Sequence, residues 1–147
     1  MCDCTNVEVL PIFKKQQERV RFSITEEVGH LILHEDWYRK YGPESFEKYL
    51  DWQNSIDPKL YDYTDRQAKT FAALVLMPEA QLQSEWKKFA ATYRIPTPCI
   101  YEQLPDTFWQ LANYFQVTPM CLLVHLSKHN IVQISNKTWD LLHNRRH

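Results

Sequence analysis

Residues 21–34 (Arg-Phe-Ser-Ile-Thr-Glu-Glu-Val-Gly-His-Leu-Ile-Leu-His) place apolar and polar side chains with a helical period rather than an alternating one. Ile24, Val28, Leu31, Ile32 and Leu33 give this helix apolar character on most sides, which predicts a buried helix. Ser23 or Thr25 stands at a candidate N-cap, so Glu26 and Glu27 are expected in the first turn, where the helix dipole favours negative charge. Gly29 costs a helix about 1 kcal/mol relative to Ala, so its presence predicts close approach of another backbone or a ligand.

The flanking pattern extends this reading in both directions. Val7–Phe13 has the β-branched and aromatic content of a strand, with Pro11 marking an edge or a break. Lys14–Arg21 is polar and predicts a turn. Gly42-Pro43 ends the central helix, and Glu44–Ile56 predicts a second one with Phe46, Tyr49, Leu50 and Trp52 as its apolar positions. Asp57-Pro58 breaks that helix. A third runs over Thr64–Met77, with Thr64 as candidate cap and Ala68, Phe71, Ala72, Val75 and Leu76 as its inward stripe. Its small residues permit another helix to lie close. Pro78 stops it, and Glu79–Tyr93 reads as a fourth helix facing inward through Leu82, Trp86, Phe89 and Ala90. After the rigid loop 95–98 come helices over Leu104–Phe115 and Pro119–His129, the latter capped by Thr118, and a short strand over Ile131–Ile134. The fold class is therefore α+β and predominantly helical, in a single domain over 1–147 with a core at 20–94 and a small C-terminal helical segment at 101–147.

Composition narrows the function classes. The chain has 147 residues with 44% hydrophobic content, enough for a real core, and only 2 glycines. A formal net charge of -1 gives no global attraction to nucleic acid or anionic lipid, and Arg145 and Arg146 read as a solvated tail. Cys2-x-Cys4 lacks a second Cys/His pair at zinc-finger spacing, so Cys2, Cys4, Cys99 and Cys121 are expected as free thiols of a reducing compartment. The longest apolar stretch, near Phe71–Met77, is far too short to span a membrane, and no signal peptide is expected. A cytoplasmic location is the resulting expectation. Trp37, Trp52, Trp86, Trp109 and Trp139 are read as packing residues, and His125, His129, His143 and His147 as solvated or helix-end histidines.

The candidate chemistry lies in the opening stretch. Glu26, His30 and His34 are each four apart and share one helical face. The run Glu26-Glu27-Val28-Gly29-His30 is the zinc-peptidase pattern His-Glu-x-x-His with Glu in place of the first His. In that pattern two nitrogens one turn apart hold zinc, the intervening Glu is general base toward the attacking water, and a third ligand comes from a separate helix. Glu27 thus takes the catalytic base position, His30 the second-ligand position and Glu26 the first. A carboxylate preserves the reach but not the electrostatics: two anionic ligands would weaken the metal's acidifying power and its preference for zinc over harder ions such as manganese. His30 and His34 with Glu26 form an alternative ligand set; a hydrogen-bonded helix histidine is the preferred reading of His34.

Three segments carry a resemblance to the ImmA/IrrE family of metallopeptidases. Residues 21–34 are similar to the family's Arg-Phe-Thr-x-Ala-His-Glu-Leu-Gly-His, followed by an apolar run and His. Residues 65–78 (Asp-Arg-Gln-Ala-Lys-Thr-Phe-Ala-Ala-Leu-Val-Leu-Met-Pro) resemble its Glu-x-x-Ala-Asn-x-Phe-Ala-x-x-Leu-Leu-Met-Pro. Residues 111–119, with the helical stretch after them, resemble its later helical segment more softly. The resemblance implies a zincin-like, mostly helical fold with a small, reduced N-terminal sheet. It assigns the later carboxylate ligand to Asp65, with Asp62 as the fallback one turn earlier. Together with the motif it implies Glu27 as catalytic residue, Glu26, His30 and Asp65 as metal ligands, and zinc as cofactor. It also implies a protein or peptide substrate, in this family a helix-turn-helix repressor. The alternative is a non-catalytic scaffold of the same fold, serving as a protein-binding or sensor module.

Overall fold

The computed structural model describes residues 9–144, with side chains from Gln16 to Asp140. The chain falls into two compact units that divide between Leu76 and Met77.

The first unit is built on one long helix, α1 (Val9–Tyr41). The strand expected over Val7–Phe13 is not formed where it is described: Val9–Phe13 is helical, and Val7 and Glu8 lie outside the described residues. Pro11 falls in the first turn of α1, where a missing N–H breaks no intrahelical bond. The turn expected over Lys14–Arg21 is also helix, because its Lys, Gln, Glu and Arg residues are good helix formers. Neither Ser23 nor Thr25 is therefore a cap. Thr25 instead donates from Oγ1 to the Arg21 carbonyl one turn back, at 2.9 Å. Glu26 and Glu27 sit in mid-helix, beyond the reach of the N-terminal dipole.

Helix α1 ends at Gly42, whose N–H bonds the Tyr38 carbonyl at 2.8 Å. Helix α2 (Tyr49–Ser55) is shorter than its apolar pattern suggested and buries none of its residues; Phe46 and Leu50 stay exposed. Trp52 leans on Trp37 of α1, with ring centroids 5.7 Å apart. Helix α3 (Pro58–Leu76) starts earlier than the expected Thr64. Asp57 is the cap, its Oδ1 accepting from the N–H groups of Lys59 at 2.8 Å and Leu60 at 3.3 Å, with Pro58 at the first helical position.

Helices α1 and α3 pack on each other through small residues. A Cβ on Gly29 would meet Phe71 Cδ1 at 2.9 Å and the Ala68 carbonyl oxygen at 3.2 Å, so the close backbone approach expected at Gly29 is present. Ala68, Ala72, Ala73 and Leu76 are buried on α3, whereas Val75, assigned to the inward stripe, is exposed. The outer face of α1 departs from the buried helix expected there. Leu31 is 66% and Ile32 61% exposed, and Val20 and Ile24 are open as well.

The second unit holds α4 (Glu79–Tyr93), α5 (Phe108–Phe115), α6 (Pro119–Lys128) and α7 (Asn136–Asn144). Leu82, Trp86, Phe89 and Ala90 are buried on α4, as its pattern requires, and Arg94 ends the helix in the left-handed region. Trp86 donates its indole N–H to Thr97 Oγ1 at 2.9 Å. Thr118 caps α6, accepting from the Cys121 N–H at 3.2 Å. The sheet described here is a parallel pair, β1 (Cys99–Ile100) beside β2 (Val132–Gln133). The fold is predominantly helical α+β, and the small sheet found among the described residues lies late in the chain. Buried Leu122, Leu126, Val117 and Val132 form the centre of this unit. His125 is buried as well, at 3% exposure, against the expectation of a solvated side chain; His129 caps the end of α6. Cys99 is buried and Cys121 half-buried, both as free thiols. Cys2, Cys4, Arg145, Arg146 and His147 lie outside the described residues, as does the His143 side chain.

Candidate metal centre

The close contact at Gly29 sets the site. It brings the Glu26–His30 face of α1 against α3 at Asp65, one turn before Ala68. One ligand atom each from Glu26, His30 and Asp65 lies within 4.8 Å of the others, and all three residues are half-buried. Asp62, the fallback carboxylate, is exposed and is not in this group. Glu27 is exposed on α1 beside the group.

The electrostatics are those of a crowded anionic site. Burial raises the Glu26 carboxyl above its usual range; Lys69 opposes this, while Asp65 and Glu27 add to it, and Glu26 also shares a hydrogen bond with Asp65. Lys69 Nζ bonds Asp65 Oδ2 at 2.7 Å and stands 4.0 Å from Glu26 Oε1. Burial lowers Lys69's affinity for its proton, but its bond to Asp65 and the neighbouring carboxylates outweigh that and raise its pKa overall. Burial, with His34 alongside, lowers the pKa of His30, so its imidazole is neutral at pH 7.

His34 is buried and hydrogen-bonded at both ring nitrogens, which fits the reading preferred for it over a ligand role. Its Nδ1 is 3.2 Å from His30 Nδ1 and its Nε2 is 3.0 Å from Gln67 Oε1. Gln67 Nε2 in turn donates to the Tyr63 hydroxyl at 3.0 Å. Beside Gln67, an open groove of about 460 Å³ is lined by Leu33, Tyr63, Arg66, Thr70, Phe71 and Leu74.

The donor set, two carboxylates and one neutral imidazole, suits a divalent cation. Donors around a tetrahedral zinc stand roughly 3.4 Å apart, so these three need a modest contraction to hold one. The raised Glu26 carboxyl marks a place where positive charge is wanted and a proton or Lys69 supplies it.

Lys69, Gln67 and Tyr63 escaped the reading of the sequence. Lys69 had a local signal, standing four residues after Asp65 and occupying the Asn position of the resembled motif. Gln67 had none, since its partner lies 33 residues away.

A family model for the IrrE N-terminal-like domain (Peptidase_M78) matches residues 14–127 of the chain. No curated protein and no solved structure gives a significant match.

Proposed function

From the premise that the chain belongs to the IrrE N-terminal-like domain family, we propose that it is a metal-dependent peptidase acting on a regulatory protein. The convergence of Glu26, His30 and Asp65 from two helices carries this reading. These three would hold zinc, or a harder ion such as manganese given two carboxylates. The bound cation would supply Lewis acidity toward the scissile carbonyl. Glu27 takes the proton from the attacking water and passes it to the leaving amine. The groove beside Gln67 offers apolar surface for an extended peptide. The substrate we propose is a helix-turn-helix repressor in the cytoplasm, on the strength of the family resemblance.

Elemental analysis of protein purified without chelator should find about one divalent metal per chain. A chain that is metal-free and also fails to take up added zinc would refute the metal assignment. Glu27→Gln should abolish cleavage of a co-expressed repressor partner while leaving the circular dichroism spectrum unchanged. Equal cleavage by both forms would remove Glu27 from the mechanism.

The 2.7 Å contact of Lys69 with Asp65 favours a second reading. Glu26 adds a negative charge to the motif and Lys69 a positive one, so the ammonium can neutralise the carboxylates in place of a metal. The chain would then be a non-catalytic scaffold that binds a protein partner. Partner binding that survives Glu27→Gln, with no cleavage by either form, would favour it.

A further inference from the structure

The hydrogen-bonded row His30–His34–Gln67 has a polarity, and that polarity decides what His30 can do. A neutral imidazole has one N–H and one bare nitrogen, so in a row of bonded rings the donors and acceptors must alternate. Gln67 presents its carbonyl oxygen Oε1, an acceptor, to His34 Nε2 at 3.0 Å, and turns its amide N–H toward Tyr63. A neutral His34 ring in this position carries its proton on Nε2 and offers a bare Nδ1. That nitrogen is 3.2 Å from His30 Nδ1, so His30 must donate from Nδ1. The remaining His30 nitrogen, Nε2, is left bare. Reversing the amide of Gln67 reverses every step and puts the proton on His30 Nε2, where it blocks ligation.

We infer that Gln67, acting through His34, is a positioning residue that holds His30 in the tautomer with Nδ1–H and a bare Nε2, the form able to ligate a divalent cation. The row explains why a histidine is buried at position 34 although it is not among the grouped candidate ligands. It also explains a glutamine on the inward side of α3 between Asp65 and Lys69. Partners of this kind fix ring orientation and tautomer in metal sites generally. The inference rests on the proposed metal site for its purpose, but the tautomer itself does not depend on any metal.

The test uses the full chain, metal-free, with its imidazole nitrogens labelled. Two-bond proton–nitrogen correlation spectra at neutral pH should find His30 protonated at Nδ1 and bare at Nε2, and His34 protonated at Nε2. The opposite assignment for His30 overturns the proposal. Gln67→Met keeps the length and helix propensity but removes the amide acceptor. In that variant His30 should become a mixture of tautomers, and zinc affinity, read by competition with a chromophoric chelator, should fall about 10- to 100-fold. An unchanged tautomer together with unchanged affinity overturns the proposal. A chain that binds no zinc, yet has the stated tautomers and loses them in Gln67→Met, supports the relay and refutes the metal site.

Discussion

Two histidine pairs with the same spacing sit in different units of this chain. His30 and His34 lie one turn apart on α1, and His125 lies on α6 one turn before its C-terminal cap His129, with ring centroids 5.2 and 4.6 Å apart. In each pair the first ring is kept neutral, chiefly by burial and then by its neighbour. Their partners differ. Helix α3 brings Gln67 to His34 and Asp65 to the neighbourhood of His30, so the first pair is bonded in a row beside carboxylates. His125 reaches the Met77 backbone, and its Nε2 is buried with no hydrogen-bond partner among the described residues. Spacing assigns a histidine to a helix face; the opposing element decides whether that face is a site.

The first pair depends on the close approach of α1 and α3, so widening that approach should have the largest effect. Gly29→Leu forces a side chain into space held by Phe71 and the Ala68 backbone. Overpacking costs about 1–3 kcal/mol, which outweighs the gain of about 1 kcal/mol in helix propensity. The urea midpoint should fall, and His34 should lose its bond to Gln67. A variant as stable as the parent, with the His34 tautomer intact, would mean that the helices do not rely on Gly29.

The next largest effects concern the charge beside the first pair. Glu26→His restores a neutral ligand and should raise zinc affinity by about an order of magnitude. No gain would mean that the pocket, and not only one ligand, differs from a zinc site. Lys69→Asn removes the competing ammonium. Because Lys69 is half exposed, its ion pairs are worth at most about 1 kcal/mol, so the gain in zinc affinity should not exceed about fivefold. A much larger gain would show Lys69 to be the principal occupant of the carboxylate pair, which favours the scaffold reading.

Much of this is legible in the chain. The Glu79–Tyr93 helix, the Thr118 cap, the Gly29 contact and the grouping of Glu26 with His30 all arise from local chemistry: proline stops, a hydroxyl before proline, and the four-residue period. Asp65 comes from the resemblance, because nothing local distinguishes it from Asp62. The start of α1 misleads because strand-like residues and Pro11 are compatible with a first helical turn when good helix formers come next. The exposed Leu31 and Ile32 mislead because apolarity does not say whether a neighbour covers it. The Gln67 bond is illegible in principle, being a contact between helices.

The second pair yields the smallest effect. The folded chain holds His125 neutral: burial and His129 lower its pKa, Lys128 adds to this, and the Met77 backbone and Glu79 only partly oppose it. The unfolded chain has the ordinary value of 6.5. As pH falls below that value the unfolded chain takes up a proton that the folded chain refuses, so stability falls with pH down to the lowered folded value. His30 acts in the same direction, and the raised Glu26 carboxyl acts in the opposite one, protonating more readily in the folded chain. His125→Leu leaves both of those in place and removes only the contribution of His125. It loses one hydrogen bond but also an unbonded buried nitrogen, two changes of about 1 kcal/mol each that offset at pH 7.5. The variant should therefore match the parent in urea midpoint at pH 7.5 and exceed it at pH 5.5. Equal midpoints at both pH values would mean that His125 is protonated in the folded chain, and that its Nε2 has found a partner.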